Sequence, residues 1–102
     1  MSVSLQVLYP TENGTTFDYD YYSATHMAIV GEHMAPHFES AVIAKGLAGG
    51  PDVPPAFHAI ATMVFADADK RQAALDAAGP ALADIPNFFS GQPVLLIGDV
   101  IG

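Results

Sequence analysis

Two stretches of this chain, Phe57–Phe65 and residues 94–101, alternate as strands do but carry apolar side chains on both sides of the alternation. In the first, Phe57, Ala59, Ala61, Met63 and Phe65 point one way and Ile60 and Val64 the other. In the second, Val94, Leu96 and Val100 oppose Leu95, Ile97 and Ile101. A sheet made from such strands has two faces to hide, and one layer of helices covers only one of them. A second copy of the sheet, laid face to face, hides the other. Composition agrees. Hydrophobic residues make up 51% of the chain and charged residues 14%, where about a quarter charged is usual. A monomer of 102 residues then has little charge with which to cover itself, and a homodimer is expected.

The rest of the chain supplies one such sheet and its helices. Val3, Leu5 and Val7 alternate with Ser4 and Gln6 as a first strand, which the turn-forming Thr11-Glu12-Asn13-Gly14 ends. Asp18 suits the N-cap of a helix running to about residue 35, where Pro36 limits it. Residues 39–48 read as a weaker, Ala-rich strand, and residues 46–55, rich in glycine and proline, as a long loop. Asp67 suits the cap of a second helix, interrupted at Gly79-Pro80 and extended by a further turn to Asp84. Residues 84–88 connect it to the last strand. Residues 1–102 thus form a single domain of the α+β class in the order β-α-β-β-α-β. That order suits a ferredoxin-like sandwich, a four-stranded antiparallel sheet with two helices on one face.

Charge and cysteine usage exclude several function classes. Lys45, Lys70 and Arg71 are the only basic side chains against eleven carboxylates, a net charge of −8. Nucleic-acid binding needs cations to displace counterions from phosphates, so no nucleic-acid partner is expected. Anionic membranes are disfavoured for the same reason, and no apolar run approaches the ~18–20 residues of a span. The chain has no cysteine, which removes disulfides, iron–sulfur ligation and thiol catalysis. Ser2-Val3-Ser4-Leu5 shows no signal-peptide pattern, and a cytoplasmic location is expected.

The candidate chemistry lies in the first helix, at Phe17-Asp18-Tyr19-Asp20-Tyr21-Tyr22-Ser23-Ala24-Thr25-His26-Met27. Tyr22 and His26 are one turn apart, and both combine an apolar ring with a movable proton. On a regular helical wheel Tyr19, Tyr22, Ile29, Val30, His33 and His37 fall within about sixty degrees of His26. This mixed stripe resembles the wall of a small-molecule pocket. The opposite stripe, Ala24, Ala28, Gly31 and Ala35, is all small, and periodicity does not say which stripe meets the sheet. The residues alone leave His26 open between a site residue and a structural histidine bonded to a carbonyl.

Other patterns have simpler explanations. His33 and His37 have the i, i+4 spacing of a metal clamp, but Pro36 lies between them and no HExxH pattern is present. Two surface histidines near a helix C-terminus account for them, and no metal is expected. Lys45-Gly46-Leu47-Ala48-Gly49-Gly50 matches neither GxGxxG nor the Walker pattern, and a glycine turn accounts for it. Asp18 and Asp84 each suit the capping or tethering of a helix end, and Asp18 is also placed to orient the tyrosine–histidine cluster.

Several segments together resemble a known family. They are Leu8-Tyr9-Pro10, Phe17-Asp18, Tyr21-Tyr22, His26-Met27, Lys45-Gly46-Leu47 with Gly49-Gly50, Asp84-Ile85-Pro86-Asn87 and Gln92-Pro93-Val94. The resemblance is to the EthD-like proteins, named for ethyl tert-butyl ether degradation. It implies the dimeric α/β-barrel superfamily, whose members include cofactor-independent monooxygenases, decarboxylases and isomerases of small organic molecules, as well as haem-binding enzymes. The resemblance also moves His26 towards function, with Tyr22 and Asp18 as its companions.

The expected activity is therefore that of an oxidoreductase-type enzyme of xenobiotic or aromatic catabolism, resembling cofactor-independent oxygenases. No nicotinamide or flavin motif is present, and no cofactor is expected. A small apolar organic substrate would lie between the first helix and the sheet, with His26 as general base or acid and Tyr22 and Asp18 beside it. Tyr22, Ile29, Val30 and His33 would line the cleft, and Phe88 or Phe89 would close one end. The alternative is a non-catalytic binding or accessory protein of an oxygenase degradation pathway.

Overall fold

A computed structural model describes all residues, 1–102. Four strands, β1 (Val3–Pro10), β2 (Ser40–Lys45), β3 (Phe57–Phe65) and β4 (Val94–Asp99), pair antiparallel in the order β2-β3-β1-β4. This is the ferredoxin-like arrangement expected from the element order. Within one chain the sheet is open and does not close into a barrel.

Between β1 and β2 the chain makes α1 (Tyr19–Tyr21), a π-helical turn over Tyr22–His26 and α2 (Met27–His33), followed by a 3-10 turn at Ala35–His37. Asp18 caps α1 by accepting from the Tyr21 backbone N–H, and the proline-containing 3-10 turn ends the segment. The expected single regular helix is thus interrupted. In an α-helix a four-residue step overshoots a full turn by about 40°. The widened π turn takes up part of that drift. The residues facing inward are accordingly Tyr22, His26, Val30 and Met34. The small stripe of Ala24, Ala28 and Gly31 faces outward. Between β3 and β4 lie α3 (Ala68–Asp76), capped by Asp67, α4 (Gly79–Asp84), which has Pro80 in its first turn, and a 3-10 turn at Ile85–Asn87.

The odd-numbered residues of β1 and β3 face the helices: Val3, Leu5 and Tyr9 against Ala59, Ala61, Met63 and Phe65, all buried. The core has two clusters. One joins Leu5, Met63 and Phe65 to Val30, Met34, Ala74, Ala78 and Ala81. The other joins Tyr9, Tyr22, Ala59, Ile85, Phe88 and Phe89. The helices lie over the two middle strands. The edge strands β2 and β4 are therefore exposed on both faces, with Leu95 46% and Ile97 56% exposed even on the helix side. On the helix-free face Leu8, Val42, Ile60, Val64, Val94 and Leu96 form an apolar surface around a Gln6–Thr62 hydrogen bond of 3.0 Å. No helix is long and apolar enough to cross a membrane.

Phe65 is fully buried while Leu47 in the β2–β3 loop is 80% exposed. Phe65→Ala is expected to cost about 3–5 kcal/mol and Leu47→Ala less than about 0.5 kcal/mol. Urea unfolding of the two variants against wild type measures the difference.

Candidate functional site

Two buried polar side chains, His26 and Asp84, interrupt this apolar interior. They come from opposite halves of the chain. The π turn carries His26 to the sheet side of the first helical segment, and the end of α4 carries Asp84. Backbone pairing of the following connector to the start of α1 brings them together. The Asp18 N–H donates to the Phe88 carbonyl at 2.8 Å, the Ser90 N–H to the Thr16 carbonyl at 3.2 Å, and Phe17 bridges Phe89.

The Asp84 carboxylate is fully engaged. The Tyr21 hydroxyl donates to Oδ1 at 2.6 Å, Asn87 Nδ2 donates to the same oxygen at 3.0 Å, and His26 Nδ1 lies 3.0 Å from Oδ2. Burial alone would raise the Asp84 pKa. The bonds from Tyr21, Asn87 and His26 overcome that effect and hold it below the ordinary carboxylate value. For His26, burial is the larger influence and pushes the pKa below 6.5, with Asp84 opposing. The bond to Asp84 and its burial push the Tyr21 phenol up. At neutral pH the arrangement is an ionised Asp84 accepting from a neutral imidazole through Nδ1–H. The Nε2 lone pair is then left as the basic atom.

The imidazole is fixed on both faces. Tyr22 stacks on it at 5.2 Å between ring centroids and 23° between planes, and Phe88 packs at 4.5 Å. All fully enclosed polar side-chain atoms have hydrogen-bond partners. The imidazole's one hydrogen bond is the Nδ1 contact with Asp84. Nε2 has no hydrogen-bond partner and is therefore not fully enclosed, and the ring that carries it lines a cavity. That cavity has a volume of about 130 Å³ and sits where the two core clusters meet. Leu5, Val7, Ala61 and Met63 from the sheet, Met27 and Val30 from α2 with Met34 just after it, and Ala78, Ala81 and Ile85 from the helical segment between β3 and β4 line it. Tyr9 and Tyr22 also line it. Burial pushes the Tyr22 phenol up to about 12 and the Tyr9 phenol higher still, so both are neutral hydroxyl groups near neutral pH. The site offers one buried base, two phenols and otherwise apolar walls.

Of the residues proposed from sequence, the structure gathers Tyr22, His26 and Val30 at the cavity. The carboxylate beside His26 is Asp84; Asp18 is exposed and serves as the helix cap. Ile29 packs against the core without lining the cavity. His33 lies at the surface, 3.7 Å from Glu32. Phe88 backs the imidazole instead of closing the cleft, and Phe89 is buried against Tyr9. Tyr21 and Asn87 were missed. Both lie in the segments that carry the family resemblance, Tyr21-Tyr22 and Asp84-Ile85-Pro86-Asn87, but nothing local pairs the second segment with residue 26. No three His, Asp or Glu side chains converge as metal ligands.

Comparison with known proteins places this geometry in a family. Over 99% of its length the chain superposes on an EthD-like protein from Ralstonia eutropha JMP134, with a TM-score of 0.86, 33% identity and 93% of that chain covered. The chain belongs to the EthD-like family. An ethyl tert-butyl ether degradation family protein from Bacillus halodurans C-125 is similar at a TM-score of 0.76 and 21% identity, covering 99% of this chain and 100% of the other. A dimeric ferredoxin-like protein from Thermobifida fusca shares the fold at 0.65 and 13% identity, covering 98% and 92% of the two chains. No family model matches the sequence, and no curated protein does.

The depressed pKa values of His26 and Asp84 give stability a defined dependence on pH. Below about pH 6.5 the unfolded chain takes up a proton that folded His26 refuses, so stability falls as pH drops towards the folded pKa. Asp84 contributes stability above its unfolded value of 3.8, which is lost as pH falls through its folded value. Urea midpoints between pH 7 and 3 should show both declines, and His26→Asn should flatten the upper one. In NMR titration the His26 imidazole is expected to titrate below pH 6.5, and lower still in Asp84→Asn.

Proposed function

We propose that this EthD-like protein is an enzyme of small-molecule catabolism that uses His26 as a general base on a small apolar organic substrate. The observation that carries this reading is the buried Asp84–His26 pair, whose imidazole lines an apolar cavity and keeps its second nitrogen free of hydrogen bonds. Asp84 holds the ring in the tautomer with Nε2 free and stabilises the imidazolium formed when a proton is taken. Tyr9 and Tyr22, as neutral donors, suit an oxygen of the substrate that gains charge in that step. The finer reading is cofactor-independent oxygenation, in which the carbanion left by proton removal itself reacts with oxygen.

The assembly proposed is a homodimer through the helix-free face of the sheet. Its support is the apolar surface there, with Val42 66%, Val94 49% and Leu96 54% exposed. The similarity to a dimeric ferredoxin-like protein adds to it. Burying two such faces gives an interface in the obligate range, at least ~2,000 Å².

Two measurements test these readings. Exchange of a substrate C–H proton with deuterated water, followed without oxygen on a panel of small cyclic ketones and phenols, reads the base alone. Oxygen uptake with the same panel reads the oxygenase step. His26→Ala is expected to lower both about 10²–10⁴-fold, and exchange unchanged by the substitution overturns the assignment. For the assembly, Val64→Asp lies on the helix-free face and should give monomers by sedimentation. A wild-type protein that sediments as a monomer at micromolar concentration overturns the dimer.

A further inference from the structure

A single cation stands at the edge of this site, and it has no carboxylate partner. Lys45 ends β2 on the helix side of the sheet, opposite Ala59. Its Nζ lies 4.3 Å from the centroid of the Tyr19 ring. That ring is itself held by a hydrogen bond from its hydroxyl to the His58 carbonyl at 2.9 Å. The lysine is therefore positioned over an aromatic face. Eleven carboxylates and a net charge of −8 surround it in the chain, yet it forms no ion pair. The other two cations stand elsewhere. Arg71 donates to the Ser4 and Gly98 carbonyls at 3.2 and 2.7 Å, and Lys70 stands on the exposed side of α3.

Lys45 and Tyr19 border a surface groove whose inner wall is Tyr22, Met27 and Ile43. Those three side chains also line the cavity at His26, so the groove and the cavity share a wall. A methionine and an isoleucine are mobile enough at their tips to part for a ligand. The cavity, at about 130 Å³, approaches the roughly 150 Å³ that accommodates benzene. A six-membered ring therefore fills it, and the exposed Ala41, Ile43, Leu82 and Leu95 among its lining residues mark where it opens to the surface; past Ile43 a further part of a ligand enters the groove. At the groove it would meet the one free positive charge.

We infer that the ligand of this site is an apolar ring bearing a carboxylate on a short chain, with the ring in the cavity beside His26 and the carboxylate in the groove on Lys45. This rests on the assignment of the cavity as the substrate site and adds the charge of the ligand to it. Lys45 is then a specificity residue. It sets the preference for an acid over its neutral analogue in a protein whose overall charge would otherwise repel acids.

The test compares phenylacetate, 3-phenylpropanoate and 4-phenylbutanoate with the corresponding primary amides, by calorimetry and by NMR shifts of His26 and Tyr19. At low salt at least one acid is expected to bind about five-fold more tightly than its amide, the upper end for a partly exposed ion pair. The preference should shrink as salt is raised. It should vanish in Lys45→Met, which keeps an apolar stem of similar length, and survive in Lys45→Arg. Amides that shift His26 as strongly as the acids, with no acid preference in wild type, overturn the inference and leave the cavity assignment standing. An acid preference that persists in Lys45→Met also overturns it. Failure of every acid and amide to bind or to shift His26 overturns both.

Discussion

A carboxylate buried in an apolar interior must be neutralised or fully bonded, and Asp84 is fully bonded. Tyr21 and His26 from the first helical segment, and Asn87 from the turn that follows Asp84 itself, converge on its two oxygens. That requirement fixes the end of α4 against the π turn. The cavity lies beside this contact, between the helices and the middle of the sheet. The small side chains of Ala61, Ala78 and Ala81 leave the space unfilled.

The same cluster decides the chemistry available. A histidine hydrogen-bonded to a buried carboxylate has one nitrogen committed and one free. Burial keeps the ring neutral near physiological pH, where the free nitrogen acts as a base. The aromatic packing of Tyr22 and Phe88 removes rotational freedom from the ring, so its free nitrogen is aimed before any ligand arrives. Stability and reactivity draw on one set of contacts. Acid that protonates the pair therefore weakens the fold and the proposed base together.

The sheet shows how a local pattern combines with its neighbours. Alternation in β1 marked Val3, Leu5 and Val7 as its buried face, and the helices do lie over it; in β3, apolar on both sides, alternation left the choice of face open, and the helices cover the odd-numbered residues. It did not show that β2 and β4 would remain open on both sides. The extent of cover depends on the width of two short helical segments laid side by side across four strands. Lys45 illustrates the same effect. In sequence it lies far from the first helix. Pairing of β2 with β3 at the sheet edge returns it to Tyr19 on that helix.

The sequence by itself determined the strand and helix order, the family, the Asp18 and Asp67 caps and the cluster containing Tyr22 and His26. Each of these is written in residues close together in the chain or in a recurring set of short segments. It put Ile29 and His33 among the cleft residues, because a helical wheel shows which side chains share a stripe and not how much of that stripe a cavity reaches. The tertiary structure alone decided which carboxylate meets His26. Asp84 is 58 residues away from it, and their contact depends on backbone pairing between residues 16–18 and 88–90 and on the antiparallel return of the second half of the chain. Local periodicity reports which side of an element is apolar. Only the packed layers determine which polar groups from different elements are enclosed together, and that enclosure is what gives His26 its partner, its tautomer and its cavity.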